Sequence, residues 1–416
     1  MTVQAQINIA GLRGTDNFTT GERPENFRET ILWLNPNGEA PLTALLSKMK
    51  SEKTDDPNFH WFEESQGHVR PQITANEIVE ATSVVEVDPD DIANGISGIQ
   101  SIVSGDILVR EDSAAMPGRG EQVLVISVNV ATNEMTVTRG FGGTTIVAWT
   151  AGDRLTKVGT AFAEGTGAPD ANTRNPAELL NFCQIFKSTI DLTETSRKTN
   201  YRTGDLEKNE KKRKMFDHSR DMEMAFWFGR RSLTTGANNK PRRTTAGLLD
   251  FITTNNKLYD TGPNTLDEDT FIDDISQMFN YDGQGAGDQR LAFCGNEALT
   301  TLNIMARDSA STRINFNGFV SAYGMKLMDW TIPQGTIYLK THPLFNIIPG
   351  YSNMLAAINP AGIKYRALRD TQYKPNVQHN DEDTFKGQWI SECGLEVNHE
   401  KTMTVLGGIS RANFTP

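Results

Sequence analysis

Cysteine is scarce in this chain of 416 residues: Cys183, Cys294 and Cys393 are odd in number, widely spaced and without a CxxC pair. That excludes a disulfide framework and predicts reduced thiols packed in the interior. Long apolar runs are also missing. No stretch approaches the roughly 18 apolar residues of a membrane span, and the first thirty residues have no apolar run behind a basic start, so neither a membrane segment nor a secretory signal is expected. The six histidines are scattered, and His399-Glu400 lacks the second histidine of a zinc-protease helix. No phosphate-binding Gly-Lys loop and no Gly-x-Ser-x-Gly elbow occurs. Gly283-Gln284-Gly285-Ala286-Gly287 precedes a candidate strand instead of following one, and reads as a turn. Asp88-Pro89-Asp90-Asp91 with Asn94-Gly95 departs from calcium-loop spacing and reads as an acidic surface turn. Positive charge is deficient as well: a formal net charge of −11 argues against a dedicated nucleic-acid binder, which needs a basic surface to displace counterions. No catalytic, cofactor-binding or metal-ligating residue is assigned, and an enzyme is not expected.

What remains is ample for folding. The chain is 37% hydrophobic, and its length suggests about two to three domains. Residues 105–158 form the clearest module. Ile107 and Val109 face one way, and Leu124, Ile126, Val128 and Val130 line one face, with Ser127 and Asn129 on the other. The turn Ala131-Thr132-Asn133-Glu134 leads to Met135 and Val137 alternating with threonines, which predicts a hairpin. The glycines of Arg139-Gly140-Phe141-Gly142-Gly143 allow a tight corner, and Gly152-Asp153-Arg154-Leu155 repeats the pattern of Gly105-Asp106-Ile107-Leu108. A compact barrel or sandwich of about 50 residues follows, near the lower size limit for independent folding.

Around this module the chain changes texture. Residues before Pro41 read as an extended arm, and Leu42, Leu45, Leu46 and Met49 make the stripe of a short helix begun by Pro41. Two aromatic, extended segments flank the module, Phe59 to Glu64 and Phe182 to Thr193, and are expected to pair as the legs of one long hairpin. Asp205 to Ser232 is the strongest helix: a charged first half, then Met215, Ser219, Met222, Phe226 and Gly229 at helical spacing. About 28 residues would make a rod of about 40 Å. Beyond Gly247 short helices and strands alternate. Asp267-Glu268-Asp269 opens a helix carrying Phe271, Ile275 and Met278, and Arg290 to Cys294 is a buried strand before a helix capped by Asn296. Thr336 to Lys340, Met354 to Ile358, Leu395 to Asn398 and Met403 to Leu406 read as further strands.

Lys211-Lys212-Arg213-Lys214 follows Glu207 and Glu210 by one turn and reads as a solvated helix face, and Pro241-Arg242-Arg243 as a basic loop. Consecutive aromatics cannot share one face of a helix, so Trp227 or Phe228 must meet another element or another chain.

The order of these parts resembles the major capsid proteins of tailed bacteriophages with the Hong Kong 97-type fold, over nearly the whole chain. Three segments carry the likeness: Asn181 to Thr195 as the descending leg of an extended loop, Met222 to Gly229 as the end of a spine helix, and Lys240 to Leu249 as the link into an axial domain. The module 105–158 is similar to β insertions in some of these proteins. The resemblance implies an α+β fold in five parts: an N-terminal arm and short helix (1–58), an extended loop (59–195) holding the insertion, a spine helix and peripheral domain (196–245), an axial domain (246–368) and C-terminal strands returning to the peripheral domain (369–416). It implies self-assembly into hexamers and pentamers of an icosahedral head in the virion, built in the host cytoplasm around double-stranded DNA held without sequence-specific binding. Portal, scaffolding and decoration proteins would be partners. Trp61, Phe62, Phe182, Phe186, Trp227 and Phe228 are then candidates for inter-subunit contact. A tail or baseplate protein, an encapsulin-like compartment and, last, an enzyme with a β appendage are the alternatives. No scaffolding-type coiled coil appears at the start of the chain.

Overall fold

The computed structural model describes Pro41, Leu42, Leu46 and residues 51–64, 69–75, 80–89, 98–111, 120–169, 171, 175–201, 204–262, 264–281, 287–308, 316–322, 325–348 and 350–414, with five sheets and several helices in an α+β arrangement. The expected arm before Pro41 lies outside the described residues. The chain divides into two compact units, His60–Leu180 and the remainder.

In the larger unit a four-stranded sheet runs in the order Glu52–Lys53, Ile363–Lys374, Thr384–Val397, Gln184–Thr193. The helix Leu206–Phe228 packs on it through Met222 and Phe226, which share a core with Phe186, Cys393 and Leu395. Asp205 caps the helix by accepting from the Lys208 N–H at 3.2 Å. The helix has 23 residues, so it ends short of the expected Ser232. The backbone turns extended at Gly229, at ψ 145°, where no side chain fits: a Cβ would lie 2.4 Å from the Ala225 oxygen and 2.6 Å from that of Thr245. The buried stripe is also rotated, to His218, Met222, Glu223, Phe226 and Trp227, while Met215 is exposed. Helical spacing alone does not separate these two stripes, since both contain Met222 and Phe226.

The second sheet of this unit has seven strands, ordered Asn256–Leu258, Thr404–Gly407, Leu355–Ile358, Gln289–Cys294, Gly335–Thr341, Met325–Ile332, Phe316–Ala322. Its central strands are apolar on both faces because both are covered. Leu291, Phe293, Ala356 and Ile358 pack toward Trp227 and Phe345, whereas Ala292, Cys294, Leu355 and Ala357 meet Phe271, Ile275 and Leu302 of the helices Glu268–Ser276 and Asn296–Asp308. Asp267 and Thr270 close a capping box at the first of these helices. The last strand, Thr404–Gly407, belongs to this sheet, and Ile363–Lys374 with Thr384–Val397 belong to the other, so 369–416 does not return to one sheet as a block. Pro241 to Arg243, read as a loop, is half of a hairpin in which Ser232–Thr235 pairs with Pro241–Thr244.

The unit His60–Leu180 contains a five-stranded antiparallel sheet ordered Thr82–Glu86, Glu134–Thr138, Gln122–Asn129, Asp106–Arg110, Leu155–Thr160. Its first strand lies outside 105–158, and Ile73, Val85 and Val87 share the core with Leu108, Val123, Val125, Met135, Val137 and Trp149. The expected hairpin forms, with Asn133 at φ 57° in its turn. The expected single face of Leu124, Ile126, Val128 and Val130 does not form: Val123 and Val125 are buried, Ile126 and Val130 are exposed, and Val128 packs against the core. Val123-Leu124-Val125-Ile126 is apolar on both faces, so alternation does not choose between them, and a bulge between Val125 and Ser127 resets the phase. Gly105 and Gly152 do play equivalent roles, at φ 92° and 99°.

Candidate assembly site

All three thiols are withdrawn from solvent. Burial pushes the Cys183 thiol up to about 11 and those of Cys294 and Cys393 up to about 12, values at which a thiol is inert. No group of His, Cys, Asp and Glu that would hold a metal occurs among the described residues. The buried polar residues instead tie elements together. Nε2 of His218 lies 2.6 Å from the Ser391 hydroxyl and Nδ1 lies 3.3 Å from that of Ser188, joining the long helix to two strands of the four-stranded sheet. Burial holds its pKa below the ordinary histidine value, against the pull of Asp221. A depressed pKa means the folded state binds fewer protons, so this stabilisation is present above about pH 6.5 and is lost as pH falls. The melting temperature of the wild-type chain should therefore drop more steeply between about pH 7 and pH 5 than that of His218→Gln; equal slopes would remove His218 from the acid response.

Asn181 marks the point where the chain re-enters the larger unit. Its amide nitrogen donates to the carbonyl of Leu395 at 2.7 Å, to the Thr245 hydroxyl at 3.1 Å and to the Ala246 carbonyl at 3.2 Å. Its oxygen accepts from the N–H groups of Phe182 and Ala246, both at 2.8 Å. This saturated asparagine fixes the strands on either side. The legs of the loop pair as Asn58–Glu63 with Ala177–Phe182, whereas Gln184–Thr193, expected as part of that pairing, lines up with Thr384–Cys393 instead. Cys183 separates the two pairings, its N–H donating to the Pro57 oxygen at 2.8 Å.

The six candidate contact residues separate by this geometry. Trp227 is buried, with ring centroids 5.0 Å from Phe345 and 5.5 Å from Phe293, so it meets another element of its own chain. Phe186 lies in the same core, and Trp61 is buried on the leg. Phe182 and Phe228 are half-buried, Phe228 against Tyr351 at 4.8 Å. Phe62 is 66% exposed. Strand alternation places it opposite Phe59 and Trp61, on the face with His60, which pairs with Glu178 at 2.6 Å. An exposed phenylalanine held on a paired strand suits contact with another molecule rather than a reaction. Val84, Ile126 and Val158 add exposed apolar side chains on strands of the five-stranded sheet.

The major capsid protein of Pseudomonas phage PaMx41 is 26% identical to this chain over 409 residues, covering 93% of both chains. Among solved structures, Mycobacterium phage Bobi is similar at 9% identity and TM-score 0.44, covering 93% of this chain and 95% of that one. The capsid of Myoviridae phage XM1 is similar at 10% identity and TM-score 0.44, covering 92% and 96%. The SrpI encapsulin of Synechococcus elongatus PCC 7942 is similar at 10% identity and TM-score 0.41, covering 59% and 79%. The family model for the SU10 major capsid protein matches residues 13–410, and the chain therefore belongs to that family.

Proposed function

We propose that copies of this chain form hexamers and pentamers that close an icosahedral head around double-stranded DNA, in the manner of the Hong Kong 97-type fold. The observation that carries this reading is the match of nearly the whole chain to a major capsid protein family. In this reading Leu206–Phe228 is the spine, the four-stranded sheet the peripheral domain, the seven-stranded sheet the axial domain, and 60–180 the extended loop with its β insertion. The net charge of −11 suits a shell that contains DNA without gripping it, because a chain with excess negative charge repels phosphate on balance. Assembly takes place in the host cytoplasm with portal, scaffolding and decoration proteins as partners.

Expression of the chain, size-exclusion chromatography and negative-stain electron microscopy test this directly. Closed shells or five- and six-membered rings are the expected result; a chain that stays monomeric at high concentration, with scaffolding protein supplied, overturns it. Phe62 supplies a sharper probe. Phe62→Ser should leave thermal stability within about 0.5 kcal/mol, as for most exposed substitutions, and weaken assembly by about 2 kcal/mol per contact if its ring seats in a neighbour. Light scattering against concentration reads the second quantity, and an unchanged critical concentration would take Phe62 out of the interface.

A further inference from the structure

The hairpin Ser232–Thr235/Pro241–Thr244 is a fully formed element with no core of its own. Its four cross-strand pairs are in register, and its turn is built from Gly236 N–H donating to the Lys240 oxygen at 2.8 Å and Asn239 N–H to the Gly236 oxygen at 2.9 Å. Its base is fastened: the Thr244 hydroxyl donates to the Arg230 carbonyl at 2.8 Å, Arg243 Nε donates to Asn58 at 2.9 Å, and Gly247 N–H donates to the Gly229 oxygen at 2.8 Å. Yet all of Ser232–Thr235 is exposed, as are Arg230, Arg231, Lys240, Pro241 and Arg242. The sheet has two strands and no more among the described residues. Two strands alone are marginal in water, and while Pro241–Thr244 approaches Gln184–Thr193 near its base, the edge of Ser232–Thr235 is open to another chain. Leu233, 55% exposed, adds an apolar anchor on the first strand.

The charge on this hairpin opposes that of the protein. Arg230, Arg231, Lys240, Arg242 and Arg243 fall within fourteen residues of a chain with net charge −11. A surface of opposite sign stands at the far end of the other long hairpin, where Asp381, Glu382 and Asp383 are exposed beyond the strands Ile363–Lys374 and Thr384–Val397. Glu382 is engaged by Lys386 at 2.8 Å, and Asp381 and Asp383 flank it.

Resting on the reading of this chain as a self-assembling capsid protein, we propose that the basic hairpin 230–243 is an inter-subunit clasp whose occupant is a second copy of the chain, engaged through its acidic tip 381–383. Two different patches of the same molecule meeting head to tail make a heterologous contact, the kind that closes into rings. Complementary charge orients the approach, and the open edge of Ser232–Thr235 with Leu233 adds directional and apolar contact. Duplex DNA is the other polyanion such a hairpin would meet, but phosphate binding does not call for an open strand edge or an exposed leucine.

A charge exchange in the full chain tests the clasp. Arg230→Glu/Arg242→Glu should cut the assembled fraction by about tenfold by placing like charges together, and Asp381→Lys/Asp383→Lys should do the same from the other side. Far-ultraviolet circular dichroism and melting temperature should be unchanged in each, since these side chains are exposed. Combining all four substitutions should restore assembly to within about twofold of wild type. Variants that assemble like wild type, or a combination that fails to recover, overturn the clasp while leaving the capsid reading intact. Failure of the wild-type chain itself to assemble under every condition overturns both. Loss of retention on duplex DNA in the arginine variant, with assembly intact, assigns the hairpin to DNA and likewise overturns the clasp.

Discussion

Replacing Arg139 by Met is expected to destabilise the five-stranded sheet by about 3–5 kcal/mol, the cost of leaving a buried charge without its partner. Arg139 and Glu121 are both fully enclosed and meet through two contacts of 2.7 Å. The same carboxylate accepts from the N–H groups of Val147 at 3.1 Å and Gly140 at 3.2 Å and from the Trp149 indole at 2.9 Å. The guanidinium lies 3.8 Å over the Trp149 ring and donates to the Val147 carbonyl. One ion pair thus holds the Gly-rich corner after Thr138 to the start of Gln122–Asn129. Glu121→Leu should cost a similar amount, and the double substitution less than either single one, because it removes both charges from the interior. Calorimetry of the full chain, with limited proteolysis to find which unit opens first, reads the effect; single variants within about 1 kcal/mol of wild type would show the pair to be dispensable. The acid response of this site has a definite sign. Burial alone would raise the Glu121 pKa, but Arg139 and the Val147 and Gly140 N–H groups outweigh it and hold the carboxyl below the usual carboxylate range. Its stabilisation is complete above that range and is lost only as pH falls through the lowered value.

Glu121, Arg139 and Trp149 also show where sequence reading reaches and where it stops. Periodicity located the hairpin Gln122–Asn129/Glu134–Thr138 because threonines alternate with Met135 and Val137. It did not find Thr82–Glu86, a five-residue strand beside an acidic turn whose partner, Glu134–Thr138, lies about fifty residues on. The same holds for Thr404–Gly407: its strand character is local, whereas its place between Leu355–Ile358 and Asn256–Leu258 is set by long-range pairing that no window contains. Among the aromatic candidates, sequence required a partner for Trp227 or Phe228 but could not say whether it lay in the same chain. The buried polar hubs Asn181, His218, Glu223 and His342 went unassigned because a single polar residue has no spacing to recognise. One of them did leave a trace. Glu223 stands between Met222 and Phe226, in the only apolar part of its helix, and a carboxylate in that position calls for donors from elsewhere.

Those donors make Glu223→Leu the second substitution of large effect, with an expected loss of about 4 kcal/mol from three buried N–H groups left without an acceptor. Glu223 Oε1 accepts from the backbone of Leu42 at 2.8 Å, from Nε2 of His342 at 2.8 Å and from the Trp227 indole at 3.2 Å. His342 Nδ1 accepts from the Leu344 N–H at 3.3 Å, which places the imidazole proton on Nε2, facing the carboxylate. One oxygen therefore joins the N-terminal helical segment, the long helix and the turn into Pro343–Ile347, around the core where Trp227 stacks edge-on to Phe293 and Phe345. Glu223→Gln keeps an acceptor oxygen but turns an amide N–H₂ toward further donors, so its loss should be intermediate. Trp227→Phe should cost less than Glu223→Leu, since it removes one donor and part of a ring and strands nothing. Urea titrations of the dissociated chain order the three; Glu223→Leu as stable as wild type would mean that the hub contributes no net stability. The comparison with Phe62→Ser then separates folding from assembly. At Glu223 the assembled fraction should fall in step with stability, because the side chain is enclosed and reaches no neighbour, whereas at Phe62 assembly should weaken while stability stays where it was.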